Sequence, residues 1–322
     1  MRYAVTLMDA FFLTRPLLLV PVWGFSAFGW YRGLSAGKHV PVVALWTMQR
    51  SVPVFFWTAV FSLSVAAVYV FNQIADMNVD KKNKGLPLLA RGKVSLKTAW
   101  TCGIACALFS ILFPLFRHPL LSLFAVMAVL LGIVYSFRPV RLSGRCCLDF
   151  LANAAGYGII AFGVGWQMSG APFSATGFAV SALPYFLLMC AGSISSTLPD
   201  RDGDAKCGKK TTAVAMGIRA AHALATFFIG ASVVASVALH DLVSGFCAAC
   251  AVPFYLWYLV RPGQRGMEAT YKAGGLLCMA AAAALQPVMA LAAGAVAAMT
   301  RLYFKQRHHV AYPSLVAAPY EK

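Results

Sequence analysis

Residues 51–80, SVPVFFWTAVFSLSVAAVYVFNQIADMNVD, run through an apolar stretch and then end in Asn72, Asp76 and Asp80. A membrane span needs about 20 apolar residues, and residues 51–72 meet that length before the first acid is reached. The spacing N-x-x-x-D-x-x-x-D adds a second constraint. Steps of four on an α-helix advance about 40° past a full turn and about 6 Å along the axis, so the three side chains share one stripe. An acid near the centre of a membrane helix costs about 2.5–3.5 kcal/mol on insertion scales, and aspartate is too short to reach water easily. Such a stripe is a divalent-cation site. Mg²⁺ prefers one or two carboxylates plus phosphate oxygens and water to a closed protein cage, so the stripe suits a metal-bound diphosphate better than a free ion.

Working outward, the 322 residues are 60% hydrophobic, 13% aromatic and only 11% charged, with a mean hydropathy of +0.73. This composition excludes a disordered chain, and the size excludes a disulfide scaffold. Nine apolar segments are expected to span: 11–30, 51–72, 97–116, 119–137, 148–168, 174–198, 220–239, 242–260 and 274–300. The expected fold class is therefore all-α, a polytopic membrane protein of about nine helices, with residues 1–300 as one domain and 301–322 as a basic, mobile tail. Gly156, Gly158, Gly163 and Gly165 suit close helix packing or kinks.

The charges are lopsided, with 27 Lys and Arg against 10 Asp and Glu. Five of the ten acids fall in two clusters, the first at Asp76 and Asp80, the second at Asp200-Arg-Asp-Gly-Asp204, where two carboxylates again lie four apart. Asp202 falls nearly opposite on a helix and is the weaker ligand. A lone acid would read as a solvated loop, but matched spacing beside two apolar spans does not. Long apolar runs between the cations exclude nucleic acid as the partner of the +17 net charge, leaving lipid headgroups or an anionic substrate. Lys and Arg concentrate in alternate connections, 17 against 8, which predicts an inside N terminus, both acidic clusters on the cytoplasmic side and a C terminus outside. In a bacterium this would be an inner-membrane protein.

Basic residues follow the acids as a diphosphate requires. Lys84 and Arg91 follow the first cluster, Lys206, Lys209 and Lys210 the second, and Arg138, Arg141 and Arg145 fill the loop between; Lys84 and Arg141 are the preferred phosphate ligands. The nine cysteines lack the paired spacing of a zinc site, and the six histidines show no ligand spacing.

These residues in order carry a family resemblance. The first motif with Gly92-Lys-Val-Ser95, then Tyr135-Ser-Phe-Arg-Pro-Val-Arg141-Leu, then Asp200-x-Asp-Gly-Asp204-x-x-x-Gly208-x-x-Thr211 with Gly217, resemble the UbiA family of intramembrane prenyltransferases; the early Arg15-Pro16 also resembles its first helix. The resemblance covers positions 15 to about 217, and the final third matches only as apolar helices. It implies a nine-helix bundle around a central cavity opening toward the membrane. Asn72, Asp76 and Asp80 on one side, and Asp200 and Asp204 on the other, would hold Mg²⁺ on an isoprenyl diphosphate donor whose tail extends into membrane lipid. Loss of diphosphate would give an allylic cation, captured by a lipophilic, electron-rich acceptor. Tyr135 would sit near the diphosphate end, and Lys84, Arg91, Arg141, Lys206 and Lys210 would contact the phosphates. Two departures stand out. The family usually carries Arg-Pro where this chain has Pro87 and Leu88, so either Lys84 or Arg91 replaces that arginine or the diphosphate sits differently; Ser143 and Gly144 stand where relatives often have Lys-Arg.

An aromatic acceptor is the leading expectation. A hydroxyl, carboxyl or carotenoid acceptor, as in chlorophyll-type tail attachment or glycerophosphate ether synthesis, is the alternative within the same fold. A cation-coupled transporter is the alternative of another class: acids at mid-depth on broken helices would favour transport, acids at helix ends beside Lys and Arg favour diphosphate chemistry.

Overall fold

The structure, a computed structural model, describes residues 7–35, 48–77, 87–310 and 312, and among them it is an all-α bundle without strands. The helices are α1 (Leu7–Leu13), α2 (Val20–Leu34), α3 (Met48–Ala75), α4 (Pro87–Ala90), α5 (Leu96–Leu112), α6 (Pro119–Ser136), α7 (Leu148–Ala155), α8 (Phe162–Met168), α9 (Ala175–Thr197), α10 (Arg201–Lys206), α11 (Thr212–Met216), α12 (Ile218–Ala238), α13 (Leu242–Val260), α14 (Gln264–Leu285) and α15 (Pro287–His308). Among the described residues, seven helices are long and apolar enough to cross a membrane, or eight if the bent pair Leu7–Leu13 and Pro16–Leu34 is one span. Large apolar side chains such as Leu108, Leu130, Phe227, Val234 and Leu291 remain exposed along these helices, as expected for surfaces facing lipid.

Close backbone approach sets the centre of the bundle. Helix α2 crosses α8 with glycine on both sides of the contact: a Cβ on Gly29 would lie 1.8 Å from the Phe162 carbonyl oxygen, and one on Gly165 would lie 1.7 Å from that of Ser26. Ser26 Oγ donates to the Ala161 carbonyl at 2.9 Å across the same seam. In lipid, where hydrophobic burial does not drive helix association, small residues of this kind let van der Waals packing and interhelical hydrogen bonds hold the pair. Between α7 and α8 the helix loosens into a π turn over Gly156–Ala161. On the other flank, α3 packs on α5 and α6, and α9 on α12.

Two expectations need correction. The final apolar segment, expected as one span over 274–300, is two helices, because Pro287 lacks an amide donor and forces Gln286 out of the helical region, to φ −136° and ψ 86°. Residues 301–308, expected to begin a mobile tail, instead complete α15 and dock on α1. Tyr303 stacks on Phe12 with ring centroids 3.9 Å apart, and Arg307 makes two hydrogen bonds to the buried Asp9 carboxylate, at 2.8 and 2.9 Å. The same apolar cluster holds Leu88, Leu89 and Val94 with Val70 of α3. Both ends of the described chain therefore lie at one end of the bundle, where charge counting had put them on opposite sides.

Gly29→Ala should lower stability by about 3 kcal/mol, since an added methyl cannot fit without parting two backbones. Gly230→Ala, which has open space at its Cβ, should be neutral or stabilising. Thermal unfolding of both variants in detergent checks this pair.

Candidate functional site

Three connections meet at the end of the bundle where α3 stops. Asp76 follows the last residue of α3, its amide still bonded to the Asn72 carbonyl at 2.9 Å. Asp200 closes a 3₁₀ turn, Leu198–Asp200, that extends α9, and Asp204 lies in α10. The loop between α6 and α7 carries Arg141, held in a left-handed conformation at φ 43°. Its Nη2 donates to Asp76 Oδ1 at 2.6 Å. Lys209 completes the cluster: its Nζ lies 3.5 Å from Asp76 Oδ2 and 3.5 Å from Asp204 Oδ1, so one ammonium bridges the two acidic motifs. All four side chains are largely withdrawn from solvent, Lys209 at 13% exposure and Asp76 at 11%.

A second set of bonds sets the spacing of those cations. Asp149, at the start of α7 and 3% exposed, accepts from the Thr212 amide at 2.8 Å and from the Thr212 hydroxyl at 2.5 Å. The Thr212 hydroxyl in turn accepts from the Cys147 amide at 2.8 Å, and the Lys210 amide donates to the Gly144 carbonyl at 2.9 Å. These bonds staple the Arg141 loop to the segment that follows the second acidic motif. Arg141 and Lys209 thus reach Asp76 from two loops fastened to each other, and both line a solvent-facing hollow of about 200 Å³ with Arg138 and Arg145.

Below the charges lies a cavity of about 330 Å³. Its walls are mostly apolar, including Val22, Val65, Val68, Leu131 and Met189, and it also meets Arg15, Tyr69, Asn72, Tyr135, Asn153, Tyr157 and Ser193. Arg15 reaches it from the kink between α1 and the turn Pro16–Leu19, where its own φ is 52°. Non-glycine residues seldom adopt such angles, and functional sites are where the strain persists. Tyr135 OH accepts from Asn153 Nδ2 at 3.3 Å, and Asn72 Nδ2 donates to Ser136 Oγ at 3.3 Å, leaving the Asn72 carboxamide oxygen toward other uses.

The sequence-predicted residues divide accordingly. Asp76, Asp204 and Arg141 come together in one network, Asn72 and Tyr135 line the adjoining cavity, and Asp200 lies one turn from Asp204. Asp80 and Lys84 lie outside the described residues. Lys206 and Lys210 have exposed side chains with no ion pair to these acids among the described residues, and Arg91 is exposed beside the C-terminal end of α15. Lys209 was named among the cations after the second motif but not chosen as a phosphate ligand, and Asp149 was missed. The available signal for Lys209 was Gly208: at φ 72° it reverses the chain, and the Lys209 amide returns to the Asp204 carbonyl at 3.0 Å.

The donor set fits a hard divalent cation. Oxygen ligands from both motifs are already close enough to share one ammonium, yet among the described residues no three carboxylate, histidine or cysteine groups form a cage. An ion here would take its remaining ligands from phosphate and water, which is the habit of Mg²⁺.

Comparison with known proteins identifies the family and the fold. The model of the UbiA prenyltransferase family matches residues 18–272. A probable chloroplastic homogentisate phytyltransferase 2 from Oryza sativa subsp. japonica is 33% identical over 185 residues, covering 53% of this chain and 47% of that protein. The chloroplastic 2-acylphloroglucinol 4-prenyltransferase of Humulus lupulus is 30% identical over 177 residues, covering 52% and 42%. This chain thus matches about half the length of these plant relatives. In fold it is similar to a UbiA homolog from Archaeoglobus fulgidus bound to GPP and Mg²⁺, with a TM-score of 0.65, 20% identity, and coverage of 88% of this chain and 99% of the other. Since the family match runs through both acidic motifs, the arginine loop and the cavity, the chain belongs to the UbiA prenyltransferase family.

Proposed function

We propose that this integral membrane protein transfers an isoprenyl group from a polyprenyl diphosphate to a lipophilic acceptor bearing an aromatic ring. The observation that carries the reading is the joining of Asp76 and Asp204 through Lys209, with Arg141 alongside, at the mouth of an apolar cavity. Carboxylates at helix ends beside cations suit diphosphate chemistry, whereas transport would call for acids at mid-depth on broken helices. The family match and the aromatic acceptors named for the plant relatives support the same reading.

In this mechanism the bond between the allylic carbon and the diphosphate oxygen breaks, and its electron pair leaves with the diphosphate. The acceptor ring supplies the electron pair for the new carbon–carbon bond and then recovers aromaticity by giving a proton to the released diphosphate. Arg141 and Lys209 meet the charge that develops on the leaving group, an electrostatic contribution that is largest where water is excluded. Asp76, Asp204, Asp200 and the Asn72 carboxamide would hold Mg²⁺, with Asp80 as a further ligand, and the ion would neutralise the diphosphate. The rings of Tyr69, Tyr135 and Tyr157 offer π faces to a cationic carbon, and the apolar walls keep water from capturing it. Lys209 pairs with both motifs, and with Mg²⁺ held by the carboxylates its ammonium would be free to meet the diphosphate. The excess of Lys and Arg in the connections at this end supports a cytoplasmic location for it.

Asp76→Asn or Asp204→Asn should lower turnover of geranylgeranyl diphosphate by at least about a hundredfold while leaving a monodisperse, membrane-inserted protein; near-normal turnover in both would contradict the mechanism. EDTA should stop the reaction and Mg²⁺ restore it. Thr212→Val should raise the donor KM about tenfold by unfastening the two loops, with Thr212→Ser close to wild type, in steady-state assays with radiolabelled donor.

A further inference from the structure

One side chain of the cavity wall has no task in the mechanism above. Ser193, on α9, is 1% exposed and lines the cavity, yet its hydroxyl has no hydrogen-bond partner among the described residues. Of the two other serines nearby on the helix, Ser196 Oγ donates to the Ser193 carbonyl at 3.0 Å, and Ser195, also without a hydrogen-bond partner among the described residues, does not line the cavity. A buried hydroxyl without a partner is costly and rarely retained unless something visits it.

Its depth is informative. Ser193 precedes Asp200 by seven residues, and Tyr69 precedes Asp76 by seven, so each stands two helical turns, about 10 Å, inside the acid of its own half. Tyr69 OH donates to the Leu18 carbonyl at 3.0 Å, and it lies 2.7 Å from Tyr157 OH. With the Tyr69 proton committed to Leu18, Tyr157 must donate to Tyr69, which leaves the Tyr157 oxygen as an acceptor at the cavity wall. The π turn at Gly156–Ala161 is what carries Tyr157 there. The wall of one cavity therefore holds an unused hydroxyl and an unused lone pair. A purely hydrocarbon ligand would leave both unsatisfied.

We propose that Ser193, together with the Tyr157 oxygen, is a specificity-determining pair that binds an oxygen substituent on the acceptor, of hydroxyl or carbonyl type, beside the atom to be prenylated. The proposal rests on the prenyl-transfer reading and adds to it the residue that selects the acceptor. Ser193 contacts the acceptor and not the donor, and reaches it by rotation about χ1 alone. Hydrogen-bonding sites of this kind reject analogues that lack the polar group far more strongly than apolar pockets reject an extra methylene.

The test uses the full chain in lipid nanodiscs with Mg²⁺, labelled geranylgeranyl diphosphate, and three acceptor sources: homogentisate, the hydrocarbon polyene lycopene, and a membrane lipid extract whose labelled product is identified by mass. The expected result is an oxygenated product. Ser193→Ala should raise the KM of that acceptor about tenfold, leave the donor KM within about twofold, and leave the thermal midpoint unchanged or higher, because no protein hydrogen bond is lost. Tyr157→Phe should shift the acceptor KM in the same direction. An unchanged acceptor KM in Ser193→Ala, or a donor KM that rises equally, overturns the assignment. Transfer to the hydrocarbon alone overturns it while leaving prenyl transfer standing. Absence of labelled product from all three sources contradicts prenyl transfer itself, and the assignment falls with it.

Discussion

Two carboxylates carried on opposite halves of an apolar bundle repel each other, and the bundle has few ways to offset that repulsion without water. Lys209 provides one, with its ammonium 3.5 Å from an oxygen of each. Arg141 provides a second counterion on the Asp76 side. Much of the surrounding structure follows from the need to keep those two cations in place. Gly208 turns the chain so that Lys209 returns toward Asp204, Arg141 sits at a strained positive φ, and the buried Asp149 ties their loops together through Thr212. In the proposed reaction Mg²⁺ would replace Lys209 as the counterion of the carboxylates, and Lys209 would be available to the phosphate.

The rest of the bundle positions the cavity below. The glycine seam between α2 and α8 brings two backbones into contact and leaves the space on the α3, α6 and α9 side. The π turn directs Tyr157 toward that space, and the kink at Arg15 brings a cation to its rim. At the same end, α15 docks on α1 through Asp9, Tyr303 and Arg307, and the cluster it closes also packs the residues that follow the first acidic motif.

Legibility in the sequence tracked rarity. Ten acids in 322 residues made Asp76 and Asp204 conspicuous, and apolar run lengths located nearly every helix. Run length failed at Gln286 because both flanking segments are Ala-rich and the break depends on Pro287 alone. The extension of α15 past residue 300 was illegible for a different reason: its basic composition resembles a tail, and only the distant Asp9 turns that charge into an anchor. Among three lysines after the second motif, composition cannot rank Lys209 over Lys206 and Lys210, since the choice is made by one backbone turn. Asp149 read as an isolated acid because its partner is 63 positions away. Ser193 was one of several serines in an apolar helix, and its distinction, a hydroxyl without a partner on the wall of a cavity, exists only in three dimensions.

The central claim is that the two acidic motifs form one donor site and not two. A double-mutant cycle on donor binding tests it most directly: the affinity of geranylgeranyl diphosphate with Mg²⁺, measured by calorimetry on the wild type, Asp76→Asn, Asp204→Asn and the double variant. One shared site predicts that either substitution removes most of the affinity and that the second adds little, a coupling well beyond the few tenths of a kcal/mol expected of independent positions. Strictly additive losses, or donor affinity retained in either single variant, would contradict it.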